Sequence, residues 1–209
     1  MLTTEIIFSE PEIENILKTF SIISVCVITI LLLISFIRQL VKKEIKPALA
    51  MWIMFSVAVI MSMITYLHSG DYGFLDNIMN TVDLVYVLSV TLAIIFLGDS
   101  DSGINRFDLI CLVLVVFIIV FWILTQNHIL ANLMIQSILV IAYFPVVKRL
   151  LTNRENSESF LIWTGMMIAP ALSLLSSKGI LATIYSVRAI ICIALLLSLM
   201  AWVEWSGKK

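Results

Sequence analysis

The stretch FPVVKRL at residues 144–150 is flanked by sequence features that recur, in the same order, earlier in the chain. It ends one apolar run and precedes a basic loop and a second apolar run, which carries Trp163. The stretch ISFIRQL at residues 34–40 likewise precedes a basic loop and an apolar run that carries Trp52. The letters differ, but the order of features is the same. The sequence therefore predicts one three-helix unit present twice, an arrangement typical of membrane transport proteins.

The composition is that of an integral membrane protein. Of the 209 residues, 61% are hydrophobic and 13% are charged, and the mean hydropathy is +1.10, which excludes an ordinary soluble domain. A helix needs about 20 residues to cross the hydrocarbon layer, and seven segments reach or approach that length. They cover residues 16–37, 48–67, 78–97, 109–125, 129–147, 160–176 and 181–203. We expect an all-α integral membrane protein with seven transmembrane helices.

The positive charges predict the orientation of these helices. If the N-terminus is outside, ten of the 13 Lys and Arg residues fall on the inner side. Short cytoplasmic loops of membrane proteins are enriched in such residues. We expect a multi-pass protein of the cell membrane with an outside N-terminus and a cytoplasmic C-terminus, and the short loops fit a prokaryotic inner membrane. The ten residues are Arg38, Lys42, Lys43, Lys46, Arg106, Lys148, Arg149, Arg154, Lys208 and Lys209.

The two copies of the unit occupy residues 16–98 and 129–205 of a single membrane domain, and residues 107–126 form a linker helix between them. Each copy crosses the membrane three times, so the second copy would be inverted if it followed the first directly. The linker helix restores the orientation. We therefore expect two parallel three-helix repeats, related by an axis along the membrane normal.

The second copy also carries a motif. YFPVVKR at residues 143–149 is followed by SES at residues 157–159 and by Trp163. With the outside N-terminus and the 3+1+3 plan, this order resembles the PQ-loop and SWEET-like transporter superfamily, in which a Pro-Gln pair precedes a basic loop and a serine-containing helix entry. Here Pro145 is followed by valine, and the first copy has SF at residues 35–36 in the matching place. The resemblance implies a small-solute transporter or facilitator that moves a polar molecule by alternating access between the repeats.

Asp83 and Arg188 are charged residues well inside predicted helices. Asp83 precedes Gly98, and Arg188 precedes Val203, by the same 15 residues, so the two charges are expected at similar depth. A charge in hydrocarbon costs on the order of 3 kcal/mol, so both side chains are expected to face the bundle interior and each other. The resemblance implies that this region lines the substrate pocket. A structural ion pair and solvated helix ends are the alternatives.

Asn132, Gln136 and Tyr143 share one face of the fifth predicted helix, because they are spaced by 4 and 7 residues. Amide side chains in a membrane helix require hydrogen-bond partners. Two interpretations remain open: the three residues bind the substrate, or they form hydrogen bonds between helices.

Two tryptophans and two prolines are candidates for gates and hinges. Trp52 and Trp163 lie at matching positions near the inner ends of their helices, where Trp is also enriched at the membrane interface. The resemblance implies an aromatic wall or an inner gate as the alternative. Pro145 and Pro170 are expected inside the fifth and sixth helices, where each removes a backbone donor and introduces either a hinge or a static kink.

Other classes of seven-helix and catalytic membrane protein do not fit. A microbial rhodopsin requires a lysine midway along the seventh helix, and residues 181–203 contain none. His68 and His128 belong to no zinc-binding motif. No disulfide framework or metal-ligand spacing is visible. Three cysteines lie in apolar segments, where they behave as small hydrophobic residues: Cys26, Cys111 and Cys192.

No constellation of side chains has catalytic spacing, and Asp99 and Asp101 fit an ordinary polar loop. We therefore expect no enzymatic activity, no metal ion or other cofactor and no nucleic-acid partner. The expected partners are a small polar solute and the lipid bilayer, and the chain is compatible with a homo-oligomer. The alternative function is that of a non-transporting membrane scaffold or accessory subunit that retains the fold.

Overall fold

The computed structural model describes residues 10–47, 49–98, 106–156 and 158–207. These residues form eight α-helices and no strand, so the fold is all-α as expected. A short 3-10 helix, Phe74–Asn77, leads into the third helix. Asp99, Asp101, Ser157 and the side chain of Cys111 lie outside the described part. The helices are α1 (Glu10–Val41), α2 (Leu49–His68), α3 (Ile78–Leu97), α4 (Arg106–Thr125), α5 (His128–Ile141), α6 (Phe144–Asn153), α7 (Phe160–Ser173) and α8 (Ile180–Gly207).

The helix lengths agree with seven crossings. Within the described residues, five stretches are long and apolar enough to cross a membrane: Pro11–Val41, Leu49–His68, Phe74–Leu97, His128–Asn153 and Ile180–Ser206. Two shorter apolar helices, Val116–Thr125 and Phe160–Ser173, correspond to the fourth and sixth predicted segments. The first helix is longer than predicted, because polar residues before and after the apolar run continue it.

Side-chain caps fix the beginnings of three helices. The side chain of Asn77 accepts a hydrogen bond from the backbone N–H of Asn80 at the start of α3. Asn127 caps α5 through Leu130, and Ser159 caps α7 through the backbone N–H of Ile162. Such caps satisfy backbone donors that have no partner within the helix. The short polar loops therefore determine where the apolar helices begin.

Six helical units form a closed ring. Following neighbours around it gives α1, α3, α2, the α5–α6 unit, α8 and α7, and α7 packs against α1 again. Helix α3 also contacts α8. The contact of α1 with α7 is close, because a Cβ added to Gly165 would lie 2.5 Å from Leu32 Cδ2. The largest buried side chains include Trp52, Trp163 and Tyr86.

Helix α4 lies outside this ring, against α5 and α2. Its apolar side chains are largely exposed: Val113 is 61% exposed, Phe117 61% and Leu124 78%. Water-soluble monomers rarely expose such a continuous apolar surface. A helix with this exposure suits a lipid environment.

The fifth predicted segment is broken rather than continuous. Helix α5 ends at Ile141, and Pro145 lies at the start of α6, so the prediction that Pro145 is internal to one helix is wrong. A proline cannot donate to the carbonyl four residues earlier, which is that of Ile141, and its ring clashes with that carbonyl. The break is therefore where the chemistry of Pro145 requires it. Pro170, by contrast, does lie inside a helix, α7.

Candidate functional site

Buried amide and hydroxyl side chains join α5 to α2. The Nε2 atom of Gln136 donates hydrogen bonds to Ser62 Oγ and to Asn132 Oδ1, each at 3.1 Å. Asn132 Nδ2 in turn donates to Thr65 Oγ1 at 2.9 Å and to the Ser62 carbonyl at 3.0 Å. The side chain of Asn80 on α3 also hydrogen-bonds Ser62 Oγ. Three helices thus share one polar network, in which Asn132 is 1% and Gln136 5% exposed.

Arg188 connects this network to the other candidate charge. Its Nε atom donates to Gln136 Oε1 at 3.0 Å, and its guanidinium lies 4.8 Å from the centre of the Tyr185 ring. The Tyr185 hydroxyl donates to Asp83 Oδ2 at 2.8 Å. Asp83 and Arg188 were expected to face each other. Within the described chain they form no direct ion pair, and the ring and hydroxyl of Tyr185 lie between them.

The five residues predicted to bind substrate are therefore close together. Asp83, Arg188, Gln136 and Asn132 are joined through the contacts above, and the Tyr143 hydroxyl lies within interaction range of Arg188. Asp83 and Arg188 are partly exposed, whereas the amides are buried. Charged groups held inside an apolar bundle in this way are expensive and are typically functional.

The aromatic residues predicted as gates are core residues. Trp52 and Trp163 are each 1% exposed, so they do not form part of an interfacial belt. Trp52 packs against Phe55, with ring centres 5.9 Å apart, and Phe55 packs against Tyr143 at 5.2 Å. Tyr143 lies 5.8 Å from Trp163. These rings form a continuous layer between the two tryptophans.

An ion pair that the sequence did not reveal closes one end of the bundle, which we call the Glu158 end. Glu158 is 8% exposed, and its carboxylate pairs with Arg149 of α6. The second carboxylate oxygen accepts a hydrogen bond from Trp163 Nε1 at 3.2 Å. Arg149 also donates to the backbone carbonyl of Lys46, in the loop between α1 and α2. Burial raises the pKa of Glu158, and the positive charge of Arg149 partly opposes that shift.

A second polar cluster closes the opposite end, which we call the Asp76 end. The Asp76 carboxylate pairs with Lys18 of α1 at 3.1 Å, and its backbone carbonyl accepts from the N–H of Lys178 at 2.8 Å. The Tyr66 hydroxyl donates to the Lys178 carbonyl at 2.9 Å, and its ring stacks on Tyr72 with 4.8 Å between centres. The segments before α3 and α8 are thereby tied to each other.

Sequence reasoning missed both ends, because each cluster includes contacts between segments that are far apart along the chain, such as that of Arg149 with Lys46. The one available signal was Glu158 itself, an acidic residue beside an apolar helix entry. As for metals, the described residues contain no group of three or more His, Cys, Asp or Glu side chains that could hold an ion. No family model matches the chain, and neither curated proteins nor solved structures provide a match.

Proposed function

We propose that this chain is a small-solute membrane transporter or facilitator, in which a polar molecule moves between two three-helix halves. The observation that supports this most strongly is the polar network in which Tyr185 contacts both Asp83 and Arg188, and Arg188 in turn donates to Gln136. It joins helices of the first half to helices of the second. Intramembrane charges at an interface between repeats are typical of substrate and ion pathways.

The pattern of helix neighbours supports the repeat interpretation. In this interpretation α1 corresponds to the α5–α6 unit, α2 to α7 and α3 to α8. Helix α3 contacts α1 and α2, and α8 correspondingly contacts the α5–α6 unit and α7. The contact of α1 with α7 becomes that of α5 with α2, which is also present. Helix α4 lies outside this exchange, as a linker would. The PQ-loop and SWEET-like superfamily is the architecture that this proposal adopts.

Closure at both ends supports alternating access. The Asp76 end would face the outside and the Glu158 end the cytoplasm if the orientation inferred from the charges holds. In the structure both clusters are formed, and we take them as the two gates of the pathway. Transport then requires the two clusters to open in turn, with one half rocking against the other. Asp83 would be the residue that couples protons to this movement.

A membrane scaffold is the second candidate, and one observation favours it. The amide groups of Gln136 and Asn132 have partners within the protein for both nitrogen and oxygen. Asn132 donates to Thr65 and accepts from Gln136, and Gln136 accepts from Arg188. Such pairing stabilises a helix bundle without any solute. The two functions differ in one measurable respect, since only the transporter moves solute across a membrane.

The experiment is uptake by proteoliposomes containing the full chain. Labelled hexoses, nucleosides and amino acids are supplied outside, with protein-free liposomes as the blank. We expect saturable uptake of at least one solute, and loss of it in Arg188→Gln, which removes the charge from the network. Exposed Ser198, which hydrogen-bonds only within its own helix, provides the control Ser198→Ala. Uptake equal to the blank for every solute would favour the scaffold.

A further inference from the structure

Two adjacent aromatic residues in the core have hydrogen-bond donors without a partner. Trp52 on α2 and Tyr86 on α3 have ring centres 5.9 Å apart, and their exposed fractions are 1% and 2%. Among the described residues, neither Trp52 Nε1 nor the Tyr86 hydroxyl has a hydrogen-bond partner. Native proteins pair nearly all buried polar groups, so two neighbouring exceptions require an explanation.

Comparable groups in the same bundle are paired. Trp163 Nε1 donates to Glu158, and the Tyr185 hydroxyl donates to Asp83. The Tyr66 hydroxyl donates to the carbonyl of Lys178. Each of these donors serves one of the clusters described above. The unpaired atoms of Trp52 and Tyr86 therefore stand apart from the general pattern of the core.

We propose that Trp52 Nε1 and the Tyr86 hydroxyl hold an uncharged oxygen acceptor, a carbonyl or hydroxyl group, of the transported solute. This inference rests on the proposed function, because it names the substrate chemistry of the same pathway. Tyr86 follows Asp83 by three residues on α3, so the two side chains lie one helical turn apart on the same side of that helix. A carboxylate on the adjoining turn disfavours an anionic group at this point and favours a neutral oxygen.

The surrounding rings fit the same interpretation. Phe36 and Phe55 pack edge-on against Trp52, with ring centres at 5.3 and 5.9 Å. They offer no hydrogen-bonding group, so they form apolar walls beside the two donors. Binding sites for small molecules commonly combine apolar walls with a few such polar groups. The donors fix the orientation of the solute, and the rings exclude water.

The test uses Trp52→Phe and Tyr86→Phe, which remove one donor each and keep an aromatic ring. In the solute-free protein we expect Tyr86→Phe to unfold at the wild-type temperature or above it, because an unpaired donor is lost. Trp52→Phe also leaves a cavity in the core, so its stability is not compared and its uptake alone is used. Tyr185→Phe, which removes a paired hydroxyl, is expected to lower the unfolding temperature. Trp202→Phe, at a side chain 50% exposed, controls for the loss of an indole.

Uptake provides the second arm, with glucose and uridine as neutral probes and lactate as the anionic probe. We expect a neutral probe to be transported, and its KM to rise about fivefold to tenfold in Trp52→Phe and Tyr86→Phe, as for one lost hydrogen bond.

An unchanged KM in both variants would overturn this inference and leave the transporter proposal standing. Transport of lactate alone would overturn the choice of a neutral oxygen. A loss of stability in Tyr86→Phe equal to that of Tyr185→Phe would show that a protein group or a resident water already serves the hydroxyl. Uptake of none of these probes by a wild type that transports another solute of the panel would overturn this inference alone, whereas uptake of no solute at all would overturn both proposals.

Discussion

Replacement of Gln136 by leucine tests the polar network at its most connected residue. The change removes the bonds from Gln136 to Ser62 and Asn132 and the acceptor that Arg188 uses. Leucine fills a similar volume, so the cost comes from stranded polar groups rather than from a cavity. A buried group left unpaired costs about 1–3 kcal/mol, whereas side-chain bonds between membrane helices average about 0.6 kcal/mol. Arg188 keeps its contact with the Tyr185 ring, while Ser62 keeps its bond to Asn80. We therefore expect a loss of about 2 kcal/mol.

The assay is thermal unfolding of the purified full chain in detergent, followed by helical circular dichroism. For a chain of this size, about 2 kcal/mol corresponds to a fall of about 4–8 °C in the unfolding temperature. Ser137→Ala is the matched control, because Ser137 is exposed and bonds only to Leu133 of its own helix. A Gln136→Leu protein as stable as this control would refute the network as a stabilising element. If stability falls but uptake is unchanged, the role of Gln136 in substrate binding is refuted.

Three further predictions follow from the ends and the prolines. Burial raises the pKa of Glu158, so the folded chain binds a proton on this carboxyl more tightly than the unfolded chain does. Stability should therefore fall as pH rises through the folded-state pKa. Unfolding temperatures measured from pH 5 to 8 should depend less on pH in Glu158→Gln than in the wild type. Ser21→Ala removes hydrogen bonds from α1 to the α7 side and should cost about 1 kcal/mol in thermal unfolding, whereas Ser198→Ala should cost almost nothing; equal effects would contradict this. If Pro145 and Pro170 provide hinges, Pro145→Ala and Pro170→Ala should reduce proteoliposome uptake several-fold without lowering stability, and full uptake in both would exclude the hinge role.

The sequence was sufficient to predict the helices and the polar positions within them. Hydropathy identifies a segment that can cross a membrane, and α2 and α3 begin and end within a residue or two of the predicted bounds. The spacing of Asn132 and Gln136 places both on one helical face, which predicts that their side chains lie close together. In the structure they are hydrogen-bonded to each other. Burying a charge is expensive, which is why Asp83 and Arg188 could be expected to face other helices.

The partners of the polar side chains could not be predicted, because they depend on how the helices pack against one another. Equal depth suggested a direct contact between Asp83 and Arg188, but depth says nothing about rotation around the helix axis, and Tyr185 occupies the space between them. Hydropathy also cannot distinguish a tryptophan in an interfacial belt from one in the core, so the burial of Trp52 needed the structure. Glu158 was missed because hydropathy does not show that this loop side chain is buried against Arg149, nine residues earlier.

Movement of one half against the other is tested most directly by a reversible cross-link between them. Ser21 on α1 and Ser176 beyond α7 have hydroxyl oxygens 2.8 Å apart near the Asp76 end, so cysteines at these positions are placed to form a disulfide. The pair is introduced into a chain whose three native cysteines are replaced by alanine, and cross-linking is verified by mass spectrometry. If solute passes between rocking halves, oxidation should abolish uptake by proteoliposomes, and reduction should restore it. Uptake that continues undiminished in the fully cross-linked protein would contradict alternating access between the halves.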